Sequence, residues 1–183
     1  MLGIGAAFVI LVVLSRHVIN PTTTTTLLPS TTSTVPTAKP VAVTCRGSDF
    51  TGVYNQGQGA AGTIFASVTL TKVSIGSCTM KGYPLLTLQD KTGAVIVSKQ
   101  LDSTPVQFPD AQANKPATSL TLTDGATTSF SLAYSDVPVG AQACASAMTL
   151  SVQLVAGGST VTVTPAYPVQ PCNDNTVWVS PLY

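Results

Sequence analysis

The sequence contains no glutamate, a single histidine at position 17, and charged residues amounting to only 8% of the chain, against roughly 25% in an ordinary globular protein. Each shortage removes a class of chemistry. Because His17 lies outside the cysteine-bearing part of the chain, no Ser-His-Asp or Cys-His arrangement can be built there from one molecule. No cysteine pair shows Cys-x-x-Cys spacing, so zinc and iron–sulfur sites lack their usual ligand pattern, and no metal or other cofactor is expected. Gly59-Ala60-Ala61-Gly62 is followed by neither a lysine nor a helical pattern, so it does not read as a phosphate-cradling loop. From residue 41 onward, six basic side chains are dispersed among seven aspartates. Without a basic stripe or interleaved aromatics, nucleic acid is not an expected partner, and anionic lipid has no patch to hold.

What is present divides the chain into three parts: residues 1–19, 20–40 and 41–183. The first opens with Met1 to Leu14, a continuous apolar run followed by Ser15, Arg16 and His17. As a helix, that run would reach only ~21 Å, short of a ~30 Å hydrocarbon core. Extended to Ile19, with Arg16 and His17 snorkelling into the headgroups, it approaches spanning length. The absence of an A-x-A-like site favours an uncleaved anchor over a cleaved signal segment. Arg16 on the far side of the run opposes this orientation under the positive-inside rule.

Between Pro21 and Pro40 the chain reads PTTTTTLLPSTTSTVPTAKP. Thr and Pro at this density bury too little to repay the entropy of ordering, so the segment reads as an extended, solvated stalk reaching at most ~60 Å, open to O-glycosylation. The expected location is the cell membrane, single-pass with an extracytoplasmic domain, or secreted if the N-terminal segment is removed. The membrane itself is then a partner through residues 1–19, and a cell-wall component or another envelope protein is a candidate partner for the rest.

All four cysteines, Cys45, Cys78, Cys144 and Cys172, lie in the third part. An even number in a displayed domain reads as two disulfides. Proximity favours Cys45 with Cys78 and Cys144 with Cys172 among the three possible connectivities. Each would contribute about 3 to 4 kcal/mol by the loop-entropy argument. Free thiols in a reduced compartment are the alternative.

The same part alternates apolar and polar residues in short segments with regular turn signals, and shows no long amphipathic helix pattern. Ile64, Ala66, Val68 and Leu70 alternate with Ser67, Thr69 and Thr71, although Phe65 and Val73 blur the pattern. Leu86 and Leu88 lead through Asp90-Lys91-Thr92-Gly93 into a strand over Val95 to Gln100. Leu120 and Leu122 lead through Asp124-Gly125 into Ser129 to Tyr134, which reads as a second hairpin. Leu150, Val152 and Leu154, then Val161 and Val163, and finally Thr176 to Val179 complete the set. An all-β, Ig-like two-sheet antiparallel sandwich of seven to nine strands is expected, with a closed barrel as the alternative. The irregular stretch from Leu101 to Thr118 carries three prolines. It is long enough to be functional, although an edge crossover is the plainer explanation.

Gly59-Ala60-Ala61-Gly62-Thr63, the segment Ser77-Cys78-Thr79-Met80-Lys81-Gly82-Tyr83-Pro84, and Leu88-Gln89-Asp90 with Gly93 resemble a family of actinobacterial secreted proteins and lipoproteins, classed as domain of unknown function 4232. The resemblance spans Cys45 to about Val179. It departs at Lys72-Val73-Ser74, where many members carry Asn. It implies an envelope-exposed β domain and carries over no catalytic residue.

Three residues stand out as a possible recognition surface: Tyr83, beside the rigid Pro84, and Asp102 and Asp110, which share the long irregular stretch. Two aspartates suitably spaced could run glycoside hydrolysis, while the simpler reading of both is loop and turn chemistry. Tyr83 is more often a buried strand-entry ring, and Trp178 is expected to close the core rather than stack on sugar. Asn173-Asp174-Asn175 offers oxygen atoms but lacks the layout of a calcium loop. The expected function is a non-enzymatic binding or structural module of the cell envelope. An Asp-dependent polysaccharide hydrolase and a subunit that assembles with a partner through an apolar patch are the alternatives.

Overall fold

The structure is a computed structural model, and it describes residues 43–102 and 106–183. The expected anchor over residues 1–19 and the stalk over residues 20–40 lie outside the described residues. No helix among the described residues is long and apolar enough to cross a membrane.

The described chain is all-β. Eleven strands are formed: β1 (Phe50–Ala60), β2 (Thr63–Lys72), β3 (Cys78–Met80), β4 (Leu85–Gln89), β5 (Val95–Ile96), β6 (Lys99–Leu101), β7 (Leu120–Leu122), β8 (Thr127–Ser135), β9 (Thr149–Gln153), β10 (Thr160–Val163) and β11 (Thr176–Val179). They are arranged in open sheets. One has the order β1-β2-β8-β11-β6, the second β10-β9-β4-β5, and a small third pairs β3 with β7.

The alternation in sequence accounts for the faces. In β2, Ala66, Val68 and Leu70 are buried and align with Leu132, Phe130 and Thr128 of β8. In the second sheet, Leu88 aligns with Leu150 and Leu86 with Val152, while Val161 and Val163 continue the apolar face from β10. Apart from Thr128, these residues join Cys45, Cys78, Met80 and Leu122 in one core cluster. Residues two apart point to the same side of a strand, so each apolar series lands in this cluster as a unit.

A turn and a bulge show how local chemistry sets the register. Ala61 and Gly62 connect β1 to β2 with φ of 50° and 79°, the doubly left-handed geometry of a two-residue hairpin. Farther along β1, the pairing skips between Asn55 and Gln58. A Cβ on Gly57 would lie 1.9 Å from the Phe65 carbonyl oxygen, so only glycine fits this bulge. The extra residue reverses the alternation, and Gln58 instead of Gly57 shares the outward side with Asn55.

Several expectations require correction. Strands number eleven, beyond the expected seven to nine, because short pieces separate where a continuous strand was read. Val95 to Gln100 is one such case. Val95 and Ile96 pair with β4, Val97 is 86% exposed, and Lys99–Leu101 then pairs with β11 in the other sheet. The β6–β11 pairing is parallel, so the arrangement is not purely antiparallel. Asp124-Gly125 does form a turn, with Ala126 N–H donating to the Thr123 carbonyl at 3.0 Å. It does not make a hairpin, because β7 pairs with β3 while β8 pairs with β2 and β11. Turn chemistry specifies a reversal but not which strands meet beyond it.

Lys72 ends β2 at only 2% exposure. Its amino group donates to the Ser74 carbonyl and, at 2.9 Å, to the Ser74 hydroxyl, with Asp124 at 3.9 Å. A buried cation is tolerated when its donors are satisfied in this way. This is the position where the chain departs from the family pattern noted above.

The two disulfides close as Cys45–Cys78 and Cys144–Cys172, with Cα atoms 4.9 and 4.2 Å apart, and no free cysteine is present among the described residues.

Candidate functional site

The outward side chains of the larger sheet build the best-defined groove. Asn55 on β1 lies opposite Ser67 on β2, and Ser67 lies opposite Ser131 on β8. The Asn55 amide donates to the hydroxyls of Ser67 at 3.1 Å and Thr69 at 3.0 Å, and the Thr69 and Ser129 hydroxyls are 3.2 Å apart. A continuous polar row therefore crosses three strands. With both Nδ2 hydrogens engaged, the Asn55 carbonyl oxygen is the atom left to meet a ligand.

One wall of the groove comes from the long stretch after β6. Phe108 is buried at 4% exposure and meets Phe65 edge-on, with ring centroids 6.4 Å apart at 81°. Ala113, Ala133, Val106, Trp178 and Tyr183 complete this second apolar cluster. The cluster explains Phe65, whose apolar ring on the outward side of β2 is covered by the loop. Asn114 fixes the loop's shape, accepting from Phe108 N–H and donating to the Phe108 carbonyl, both at 2.9 Å. Asp110 caps the 3-10 turn Ala111–Asn114 by accepting from Gln112 N–H at 2.8 Å. The loop is thus a fitted cover over part of the sheet, more than the edge crossover expected as the plainer explanation.

The segment after β11 supplies the remaining wall. Tyr183 exchanges main-chain hydrogen bonds with Ser129 at 2.9 Å, and its phenol lies 3.0 Å from the Ser131 hydroxyl. Burial pushes the Tyr183 phenol above its ordinary pKa. The bond to Ser131 pulls it partly back, and the nearby Asp110 carboxylate adds to the rise. The resulting groove, of about 210 Å³, is lined by Asn55, Gln56, Gln58, Ser67, Asp110 and Tyr183 among others, with no lysine or arginine among the described residues that line it.

The structure separates the residues singled out in sequence. Asp110 lines the groove, but Asp102 does not. Asp102 accepts from Gln100 Nε2 at 2.8 Å, and the same Gln100 amide bridges Pro84 carbonyl at 2.8 Å and Leu86 N–H at 2.9 Å. Its side chain therefore belongs with the start of β4. Tyr83 is 36% exposed and lines a different depression with Lys81, Leu85 and Val155, while Pro84 beside it is fully buried. The proline fixes the strand entry, and the ring is not buried by it. The three candidates do not form one surface.

Trp178 also departs from expectation. It packs in the outer cluster with Phe108 and Ala133, not in the core between the sheets, and its buried Nε1 has no hydrogen-bond partner among the described residues. Asn173, Asp174 and Asn175 occupy successive left-handed conformations. The Asn side chains serve the fold, with Asn173 Oδ1 accepting from Val139 N–H and Asn175 Nδ2 donating to the Val97 carbonyl, both at 2.9 Å. Among the described residues, no group of three or more His, Cys, Asp or Glu side chains is placed to hold a metal ion.

Asn55, Gln56, Gln58, Ser67, Ser131 and Tyr183 carry no motif in the sequence, where the apolar half of each alternation marks the core and none of these residues marks the groove. The available signal was Phe65. An aromatic ring among outward Ser and Thr side chains marks a face that something covers.

Residues 45–183 match a family model described as Domain of unknown function (DUF4232). Neither a curated protein nor a solved structure matches the chain.

Proposed function

This chain belongs to the family described as Domain of unknown function (DUF4232), and for it we propose an extracytoplasmic binding module of the cell envelope, tethered to the membrane by its N-terminal segment. The observation that carries the binding role is the groove on the outer face of the larger sheet, where a dedicated loop and the segment after β11 enclose a polar floor. The two disulfides support an oxidising compartment. The Thr/Pro-rich composition of residues 20–40 supports a spacer that holds the domain off a bilayer. Two sheets sharing one core support the finer description as an Ig-like sandwich.

Paired-carboxylate hydrolysis is the weaker reading. That chemistry needs two carboxyl groups flanking one bond, and the groove lining offers Asp110 alone. A purely structural role remains the alternative to binding. The test is retention of the full chain, purified oxidised in detergent, on cell-wall fractions and membrane extracts. Specific retention on one fraction is expected, and no retention above an unrelated disulfide-bonded control would refute the binding role. Mass analysis should find no free thiol in native material and four after reduction; four free cysteines in native material would overturn the compartment assignment.

A further inference from the structure

We infer that the groove on the outer face of the larger sheet binds an uncharged glycan, one sugar ring seated against Tyr183 and Asp110 and the chain running across β2 towards β1. This deepens the binding reading and rests on it. The argument starts from the chemistry of the lining. The amides of Gln56 and Gln58 and the hydroxyl of Ser67 can each donate and accept, and the carbonyl oxygen of Asn55 can accept, which suits a ligand whose every hydroxyl does both. Asp110 uses one oxygen to cap its own turn. Its other oxygen can accept from a sugar hydroxyl, a charge-assisted bond stronger than a neutral one.

Apolar contact comes from Phe65, Pro109 and Tyr183 in the same lining. Such surfaces suit the C–H face of a pyranose, and a few placed polar groups then fix its orientation. At about 210 Å³, the cavity is smaller than the ~300 Å³ at which whole small-molecule sites begin. A single ring of a longer polymer matches that size. Charge decides against the other hydrogen-bonding polymers. With no cation among the described lining residues and Asp110 present, phosphate backbones and acidic glycans would be repelled.

Two features show that the site is held in shape before a ligand arrives. The bulge at Gly57 turns Gln58 to the side occupied by Asn55, and the Asn114 bonds lock the loop that carries Asp110. Preorganisation of this kind reduces the entropy lost on binding.

The experiment is titration of the full chain in detergent with maltotetraose, cellotetraose and mannotetraose, and with an oligogalacturonate of similar length as the acidic arm. Binding is followed by calorimetry and by emission of Trp178, which packs under the same loop. At least one neutral oligosaccharide should bind with Kd of about 1 mM or tighter, and the acidic one at least about tenfold more weakly. Asn55→Ala and Gln58→Ala should each weaken binding about tenfold, a loss of roughly 1.4 kcal/mol. Thr162→Ala, on the solvent face of the other sheet, should leave it unchanged. Because Gln58 is an exposed side chain, its variant tests the site even if Asn55→Ala perturbs folding. No binding by any neutral oligosaccharide, tighter binding of the acidic one, or binding indifferent to Gln58→Ala would each overturn the inference. Retention on envelope fractions that persists in both groove variants would overturn it too, while leaving the broader binding role intact.

Discussion

Replacing Phe108 with alanine should release the loop from the outer face of the larger sheet while leaving the two-sheet core folded. The side chain is 4% exposed, and burying a phenylalanine contributes ~1.5 to 3 kcal/mol. Its edge-on contact with Phe65 adds ~0.5 to 1.5 kcal/mol. The loss should therefore be about 2 to 4.5 kcal/mol, overlapping the ~3 to 5 kcal/mol span for such truncations. It falls on a cluster separate from the main core, so the loop should detach before the sheets separate. The chain's only tryptophan, Trp178, lies in that cluster and reports detachment directly. Its emission should shift to the red, amide exchange should accelerate at Gln112 through Lys115, and β2 and β8 should stay protected. An unchanged emission maximum together with stability within ~0.5 kcal/mol of the parent would refute the claim that Phe108 pins the loop.

Four further outcomes follow from the geometry. Ala61→Asn should stabilise the protein by roughly 0.5 to 1 kcal/mol in denaturant unfolding, because Asn tolerates the left-handed conformation that Ala61 is forced to adopt. Serine in place of both Cys144 and Cys172 should cost about 3 to 4 kcal/mol, as their separation of 28 residues implies, measured by the fall in unfolding midpoint. Asp90 accepts from Thr92 N–H and hydroxyl and from Ala94 N–H, bonds that hold its carboxyl below the ordinary 3.8. The stabilisation is present above that value and is lost as pH falls through the lowered one, so carboxyl NMR titration should find Asp90 acid-shifted and Asp90→Asn should remove the transition. Tyr54, Tyr134 and Tyr183 are raised from 10.0, chiefly by burial. Their contribution is complete below 10.0 and declines above it, so ultraviolet titration should show delayed phenolate formation that becomes immediate in denaturant.

The inner half of the molecule was legible in the sequence because burial imposes a period of two. Ala66, Val68 and Leu70, or Leu150 and Val152, need no knowledge of their partners to be assigned inward. The β4–β5 hairpin was equally legible, since Asp90 and Gly93 complete its turn within four residues. Pairing beyond a turn was not. Nothing local distinguishes β7 returning along β8 from β7 joining β3, and nothing in Val95 to Gln100 marks the step between sheets except an apolar Val97 that remains in solvent. The groove was least legible of all, being assembled from outward residues of β1, β2 and β8, a loop around Asp110, and Tyr183. Those parts are distant in sequence and individually ordinary. Only Phe65 broke its local pattern for a reason connected with the site.

The Cys45–Cys78 bridge has a mechanical consequence. Tension on the chain ahead of Val43 would meet the Thr79 main chain, which donates to the Val43 carbonyl at 2.8 Å and accepts from Cys45 N–H at 2.9 Å, and would then reach the bridge at Cys45. The covalent link passes the load directly to Cys78, across 33 positions of sequence. The first long hairpin, β1 and β2, lies within this bypassed segment and cannot be peeled away strand by strand. A pull on the preceding chain would therefore leave the groove floor unstretched until the load reached structure beyond Cys78.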